Sequence, residues 1–183
     1  MKSFVSKKMD KFSRNSLIGG VVATVITSTG MILMGHVSGL EAKDLIISSL
    51  PRLNTFFNTV VLASATILTL LLTITNISHG SKSTLKKTYY IRILKIAKLD
   101  ATVFIVSVIT FLLMNNPLTE AESINTSYYS YLYYVWSSIS SIVCGAIVAV
   151  IIMLYYTITT LISIVGLNKE DHPLLHNEEP EEA

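Results

Sequence analysis

The stretch Tyr128–Gly166, YYSYLYYVWSSISSIVCGAIVAVIIMLYYTITTLISIVG, decides the fold because it holds no Asp, Glu, Lys, Arg or His. A run this long and apolar exceeds a buried core helix and predicts a membrane span. Aromatic residues crowd its start up to Trp136, and Tyr155 and Tyr156 lie near its other end. Such girdles mark the two interfaces of a bilayer. From Trp136 to Tyr155 a helix rises about 28 Å, close to the roughly 30 Å of the hydrocarbon layer.

Small residues recur at every fourth position between these aromatic ends: Ser137, Ser141, Gly145 and Ala149. This spacing places them on one face of a helix, and small side chains let a second backbone approach closely. We therefore expect this small-residue ladder to be an association face, either within the bundle or between copies of the chain.

The composition is that of a membrane protein rather than of a soluble domain. Hydrophobic residues make up 51% of the 183 residues and charged residues only 14%, and the mean hydropathy is +0.57. Cys144 is the only cysteine and lies inside the last apolar run, so no disulfide forms within the chain. We interpret it as a small packing residue.

The hydropathy pattern predicts an all-α fold, a bundle of four transmembrane helices. They lie near residues 16–37, 56–78, 91–115 and 130–160. A secretory signal peptide is the alternative for the first, but its apolar stretch exceeds the usual limit of about 15 residues. A short polar helix should precede the second span and end near Pro51. Short connections predict that sequential helices are antiparallel neighbours.

Charge divides the chain into three parts and orients it. Residues 1–15 form a basic leader, which is either a helix on an anionic membrane surface or a disordered segment. Residues 16–166 form the transmembrane domain, and residues 167–183 form an acidic, disordered tail. Five basic residues of the leader, six of the loop 79–98 and Lys169 put twelve of the fourteen Lys and Arg on one side. The positive-inside rule places that side, and both termini, in the cytoplasm of a multi-pass inner-membrane protein.

Polar residues of the second span follow one side of the helix. An arc of about 100° holds seven of them: Thr55, Asn58, Thr59, Thr66, Thr69, Thr73 and Asn76. Ser64 and Thr75 fall outside this arc. Because lipid offers no hydrogen-bond partners, the pattern predicts packing between helices or a wet pore lining. The pore hypothesis concerns four residues, which we call the hydroxyl stripe: Thr59, Thr66, Thr69 and Thr73.

Asp100 is the only carboxylate at the start of a span, and no other Asp, Glu, Lys, Arg or His follows it up to Met114. Its position on the helical wheel predicts that it points into the bundle, towards Asn76 and His79 of the second span. We expect a polar contact between Asp100 and His79. In the alternative interpretation, Asp100 lies in the headgroup region and pairs with solvent or Lys98.

No phosphate-binding loop, metal-ligand cluster or Ser/His/Asp arrangement is present in the sequence. The chain is therefore predicted to be no enzyme and to hold no cofactor or metal. The basic loop 82–98 is compatible with nucleic acid, but an anionic lipid surface explains it more directly.

The layout of the chain, four spans with a short basic leader and a basic middle loop, resembles that of small four-span membrane subunits of bacterial anti-phage systems. This resemblance rests on no diagnostic motif and assigns no functional residue, and the immunity proteins of pore-forming bacteriocins share the size and topology. It implies a homo-oligomeric, non-enzymatic subunit that senses or alters membrane integrity in antiviral defence. The alternatives are a small ion channel or solute carrier, and a scaffold that recruits a cytosolic protein through the loop 82–98.

Overall fold

The structure is a computed structural model that describes residues 2–33, 39–80, 87–115 and 126–163, and the side chains of residues 13–30, 41–77, 89–115 and 128–163. These residues form four helices and no strand: α1 (Lys2–Leu33), α2 (Gly39–Gly80), α3 (Lys87–Met114) and α4 (Thr126–Leu161). The predicted all-α fold is confirmed. The acidic tail 167–183 lies outside the described residues.

Three helices are long and apolar enough to cross a membrane, over Glu41–Ile77, Tyr89–Met114 and Tyr128–Leu161. Many of their apolar side chains point away from the bundle, such as Leu72 at 68% exposure and Ile142 at 61%. Exposed apolar surface of this extent suits lipid rather than water. The described side chains of α1, residues 13–30, do not place it among these three candidate spans.

Two helices are longer than the sequence predicts. Pro51 lies inside α2, so the predicted separate short helix ending near Pro51 is wrong. The proline nitrogen leaves the carbonyl of Ile47 without its helical partner. Both Pro51 and Ile47 have exposed side chains, so this carbonyl lies on the outer side of the helix, where the loss is tolerated. The backbone of α1 begins at Lys2, which makes the leader continuous with the first predicted span.

Helix α4 is the centre of the bundle, since it packs against α1, α2 and α3. Helix α2 also packs against α3. The expectation that sequential helices are neighbours holds for α2, α3 and α4 but is wrong for α1, whose packing partner in the described chain is α4.

The hydrophobic core lies among α2, α3 and α4. Its fully buried members include Phe57 of α2, Tyr89 and Ile96 of α3, and Val150 of α4. The described side chains of α1 contribute no residue to this core. The α2–α3–α4 core is therefore the rigid frame in which Asp100 is held.

Candidate intramembrane polar site

Asp100 is fully buried at 0% exposure, within the apolar helix α3. Neither of its carboxyl oxygens has a hydrogen-bond partner among the described residues. The prediction that Asp100 points into the bundle therefore agrees with the structure, whereas the alternative pairing with solvent or Lys98 does not.

Ser64 of α2 is the polar group that faces the Asp100 carboxyl. Its side chain is also at 0% exposure, and its hydroxyl makes no hydrogen bond within the described residues. The two groups interact across the α2–α3 interface without the geometry of a hydrogen bond. Ser107, two turns beyond Asp100 on α3, is a third buried side chain whose hydroxyl has no described partner.

The structure argues against the predicted pairing of Asp100 with Asn76 and His79. Asn76 is exposed, and the side chain of His79 lies outside those described. Ser64 precedes His79 by fifteen residues, about 22 Å along the helix. Because α2 and α3 are antiparallel, Asp100 faces the middle of α2 rather than its end.

Basic residues gather in the N-terminal part of α3, between Lys87 and Asp100. Lys95 and Lys98 are exposed, and Arg92 is partly buried. Lys95 Nζ donates a hydrogen bond of 3.1 Å to Ser13 Oγ, which ties α3 to α1. A second side-chain hydrogen bond lies at the other end of α3, where Asn54 Nδ2 of α2 donates to Asn115 Oδ1 at 3.0 Å.

All four residues of the hydroxyl stripe are exposed on the single chain. Each hydroxyl donates to the carbonyl four residues earlier, for example Thr66 Oγ1 to Leu62 O at 2.9 Å and Thr73 Oγ1 to Thr69 O at 3.1 Å. Among the described residues, the stripe is therefore left uncovered, and the lone pairs of its oxygens face outwards.

The small-residue ladder packs against α1. A Cβ built on Gly20 would lie 2.6 Å from the carbonyl oxygen of Gly145 and 2.9 Å from Ala149 Cβ. A Cβ on Gly145 would collide with Thr24, and one on Gly19 with Ile152. The pairing of rising α1 numbers with falling α4 numbers shows that the two helices are antiparallel.

The first two residues of the ladder, Ser137 and Ser141, line a cavity of about 380 Å³ between α1, α2 and α4. Cys144 also lines it and is half-buried. Within the described residues, no group of three His, Cys, Asp or Glu side chains is placed to hold a metal ion. What the buried groups offer chemically is a single carboxyl with a hydroxyl beside it, suited to proton exchange.

Sequence reasoning missed Ser64 and Gly20. Ser64 departs from the polar arc of α2, and that departure was the signal, because a polar residue opposite an outward stripe faces the core. Gly20 lies among several small residues of α1, and nothing in the spacing singles it out.

Comparison with known proteins gives no match, since no family model, no curated protein and no solved structure is significantly similar to this chain.

Proposed function

We propose that this chain is a non-enzymatic subunit of a bacterial inner membrane that self-associates and senses or alters membrane integrity, in a role such as anti-phage defence. The observation that supports it most is the outward hydroxyl stripe of α2. A polar stripe on a lipid-embedded helix is best covered by another copy of the chain, which would bring the stripes to a shared axis.

Chemistry of the stripe favours a weakly polar conduit at that axis. Each threonine hydroxyl donates its hydrogen to a carbonyl of its own helix, so it presents only acceptor lone pairs to the outside. Rings of such oxygens from several copies replace part of the hydration shell of water or a cation.

A four-span topology with both termini in the cytoplasm completes the proposal. It requires α1 to cross the membrane with the other helices. Its antiparallel contact with α4 supports this, and so do six apolar side chains that are at least half exposed: Leu17, Ile18, Val21, Val22, Val25 and Ile26. Such a helix surface suits contact with lipid.

Cysteine cross-linking in membranes tests the association. In a Cys144→Ser background, Thr66→Cys should form a disulfide-linked dimer on mild oxidation, because the stripes of two copies adjoin. The matched control is Ile105→Cys on α3, which is 56% exposed but lies on no stripe. A dimer from both variants, or from neither, would contradict self-association through α2.

Membrane depolarisation on expression tests the consequence. Thr66→Val and Thr69→Val keep the side-chain shape and remove the oxygen, so the double variant should depolarise less than the parent at equal abundance. A voltage-sensitive dye reports the difference. If neither protein depolarises the membrane, the permeability function is wrong, whereas the cross-link decides the association separately.

A small proton-coupled carrier is the second candidate, and the buried Asp100 carboxyl favours it. Such a carrier would depend on the proton gradient and on a single chain rather than on the stripe. Solute uptake that survives Thr66→Val but not Asp100→Asn would favour the carrier over the self-associating subunit. Recruitment of a cytosolic protein through the basic segment 82–98, which enters α3 at Lys87, remains a proposal that co-purification tests.

A further inference from the structure

We propose that Asp100 and Ser64 form a proton-binding site inside the bundle, in which the Asp100 carboxyl is held as the neutral acid and donates its hydrogen to the Ser64 hydroxyl oxygen. The proton comes from bulk water and returns to it, which leaves the carboxylate behind. This site belongs to one chain and does not depend on self-association.

Burial supplies the first support. The side chains of Asp100 and Ser64 are both at 0% exposure, and all three oxygens lack a hydrogen-bond partner in the described part of the chain. An ionised carboxylate in such a place would lose its hydration and gain in return only the nearby hydroxyl of Ser64. A neutral acid needs a single acceptor, and the oxygen of the nearby Ser64 hydroxyl can serve as one.

The charges around Asp100 supply the second support. On α3, Lys95 and Lys98 are exposed, Arg92 is partly buried, and the Lys95 ammonium donates to Ser13. On the described part of α1, the ionisable side chain is the exposed Arg14. Helix α2 has none between Thr55 and Ile77, and α4 offers only tyrosines and Cys144. None of these groups forms an ion pair with Asp100 in the described residues, so no cation compensates a charge there.

The number of oxygens favours a proton over a metal ion. A hard cation such as Ca²⁺ needs about six to eight oxygen ligands, and Mg²⁺ about six. The site offers one carboxyl group and one hydroxyl, while the backbone carbonyls around it are engaged in the helices. A proton needs only the carboxyl oxygen and an acceptor.

Loss of the proton should loosen the α2–α3 interface. The new charge would be drawn towards the end of α3 where Lys95 lies, five residues and about 7.5 Å away along the helix. Folding then involves uptake of a proton, since the unfolded chain has an exposed, ionised aspartate at neutral pH. Stability should consequently fall as the pH rises from acidic towards alkaline values.

Infrared spectroscopy of the full chain in lipid nanodiscs tests the protonation directly. Subtracting the spectrum of Asp100→Asn from that of the parent isolates the Asp100 carboxyl. At neutral pH the difference should show the carbonyl band of a protonated acid. Asp44→Asn is the matched control, because Asp44 is exposed and its difference spectrum should show carboxylate bands only. Carboxylate bands for Asp100 at neutral pH would overturn the proposal.

Two further variants test the role of Ser64. Ser64→Ala should shift the acid band to that of a carboxyl without a hydrogen bond, whereas Ser107→Ala, which removes an equally buried hydroxyl two turns away, should leave the band in place. Asp100→Asn should also abolish the fall of the unfolding temperature with rising pH that the parent and Asp44→Asn retain. An unshifted band in Ser64→Ala, or a pH dependence unchanged in Asp100→Asn, would contradict the site.

Discussion

Helices α1 and α3 run in the same direction through the bundle, yet they are held in different ways. Helix α3 is fixed by large buried side chains such as Tyr89 and Ile96, which pack between α2 and α4. Helix α1 rests on α4 through glycines, so that backbone meets backbone at Gly20 and Gly145. The packing of α3 therefore relies on large buried side chains, whereas that of α1 relies on a close approach of backbones that leaves no room for a larger side chain at Gly20 or Gly145.

This difference bears on where a buried carboxyl group is tolerated. The many apolar contacts of α3 offset the cost of one buried carboxyl. Helix α1 has no described side chain in the hydrophobic core, and the polar side chain that it buries, Ser16, is small and uncharged. Its exposed hydroxyls instead bond to their own helix, as Thr29 Oγ1 does to Val25 O at 2.7 Å.

Truncation of the core should have the largest effect. Phe57→Ala removes a fully buried ring among α2, α3 and α4, and should cost about 3–5 kcal/mol in the free energy of unfolding. Denaturant titration in detergent measures it. Leu62→Ala, on the same helix at 62% exposure, is the control and should change the value little. Equal losses for both variants would show that Phe57 is no part of a packed core.

Insertion of bulk at the glycine contact should release α1 alone. Gly145→Leu drives a side chain into Thr24 and the Gly20 carbonyl, and should cost about 3 kcal/mol because the backbone cannot move aside. A disulfide between Gly19→Cys and Ile152→Cys, in a Cys144→Ser background, reports the contact and should be lost.

Gly30→Leu provides the control, because a Cβ on Gly30 meets nothing within 4 Å. This variant should keep the disulfide. Retention of the disulfide in Gly145→Leu would mean that α1 and α4 accommodate the bulk, and the contrast between α1 and α3 would then be wrong.

The sequence predicts most of the helices but little of how they pack against one another. Hydropathy predicts four helices, and the four-residue spacing of Ser137 to Ala149 predicts an association face. This spacing does not predict that α1 covers the face, because any helix with small residues would fit there. Asp100 is predicted to point inwards, but its partner depends on the register of α2 against α3, which periodicity leaves open. Pro51 shows the same limit, because its effect depends on which side of the helix it occupies.

The smallest expected effect concerns a side-chain hydrogen bond that joins α1 to α3, from Lys95 to Ser13. Lys95→Met keeps the length of the side chain and removes the donor. The bond is exposed, so its loss should cost only about 0.5 kcal/mol in the free energy of unfolding. Lys98→Met is the matched control, since Lys98 is exposed on the same helix and makes no hydrogen bond to a described residue through its ammonium group.

A double-mutant cycle separates the bond from the loss of charge. If the bond carries the effect, Ser13→Ala should cost nothing further once Lys95→Met is present. Additive losses would assign the effect to the charge of Lys95 rather than to its contact with α1. In that case the close contact with α4 at Gly20 and Gly145 holds α1 in place more than this hydrogen bond does, and the contrast with α3 becomes sharper.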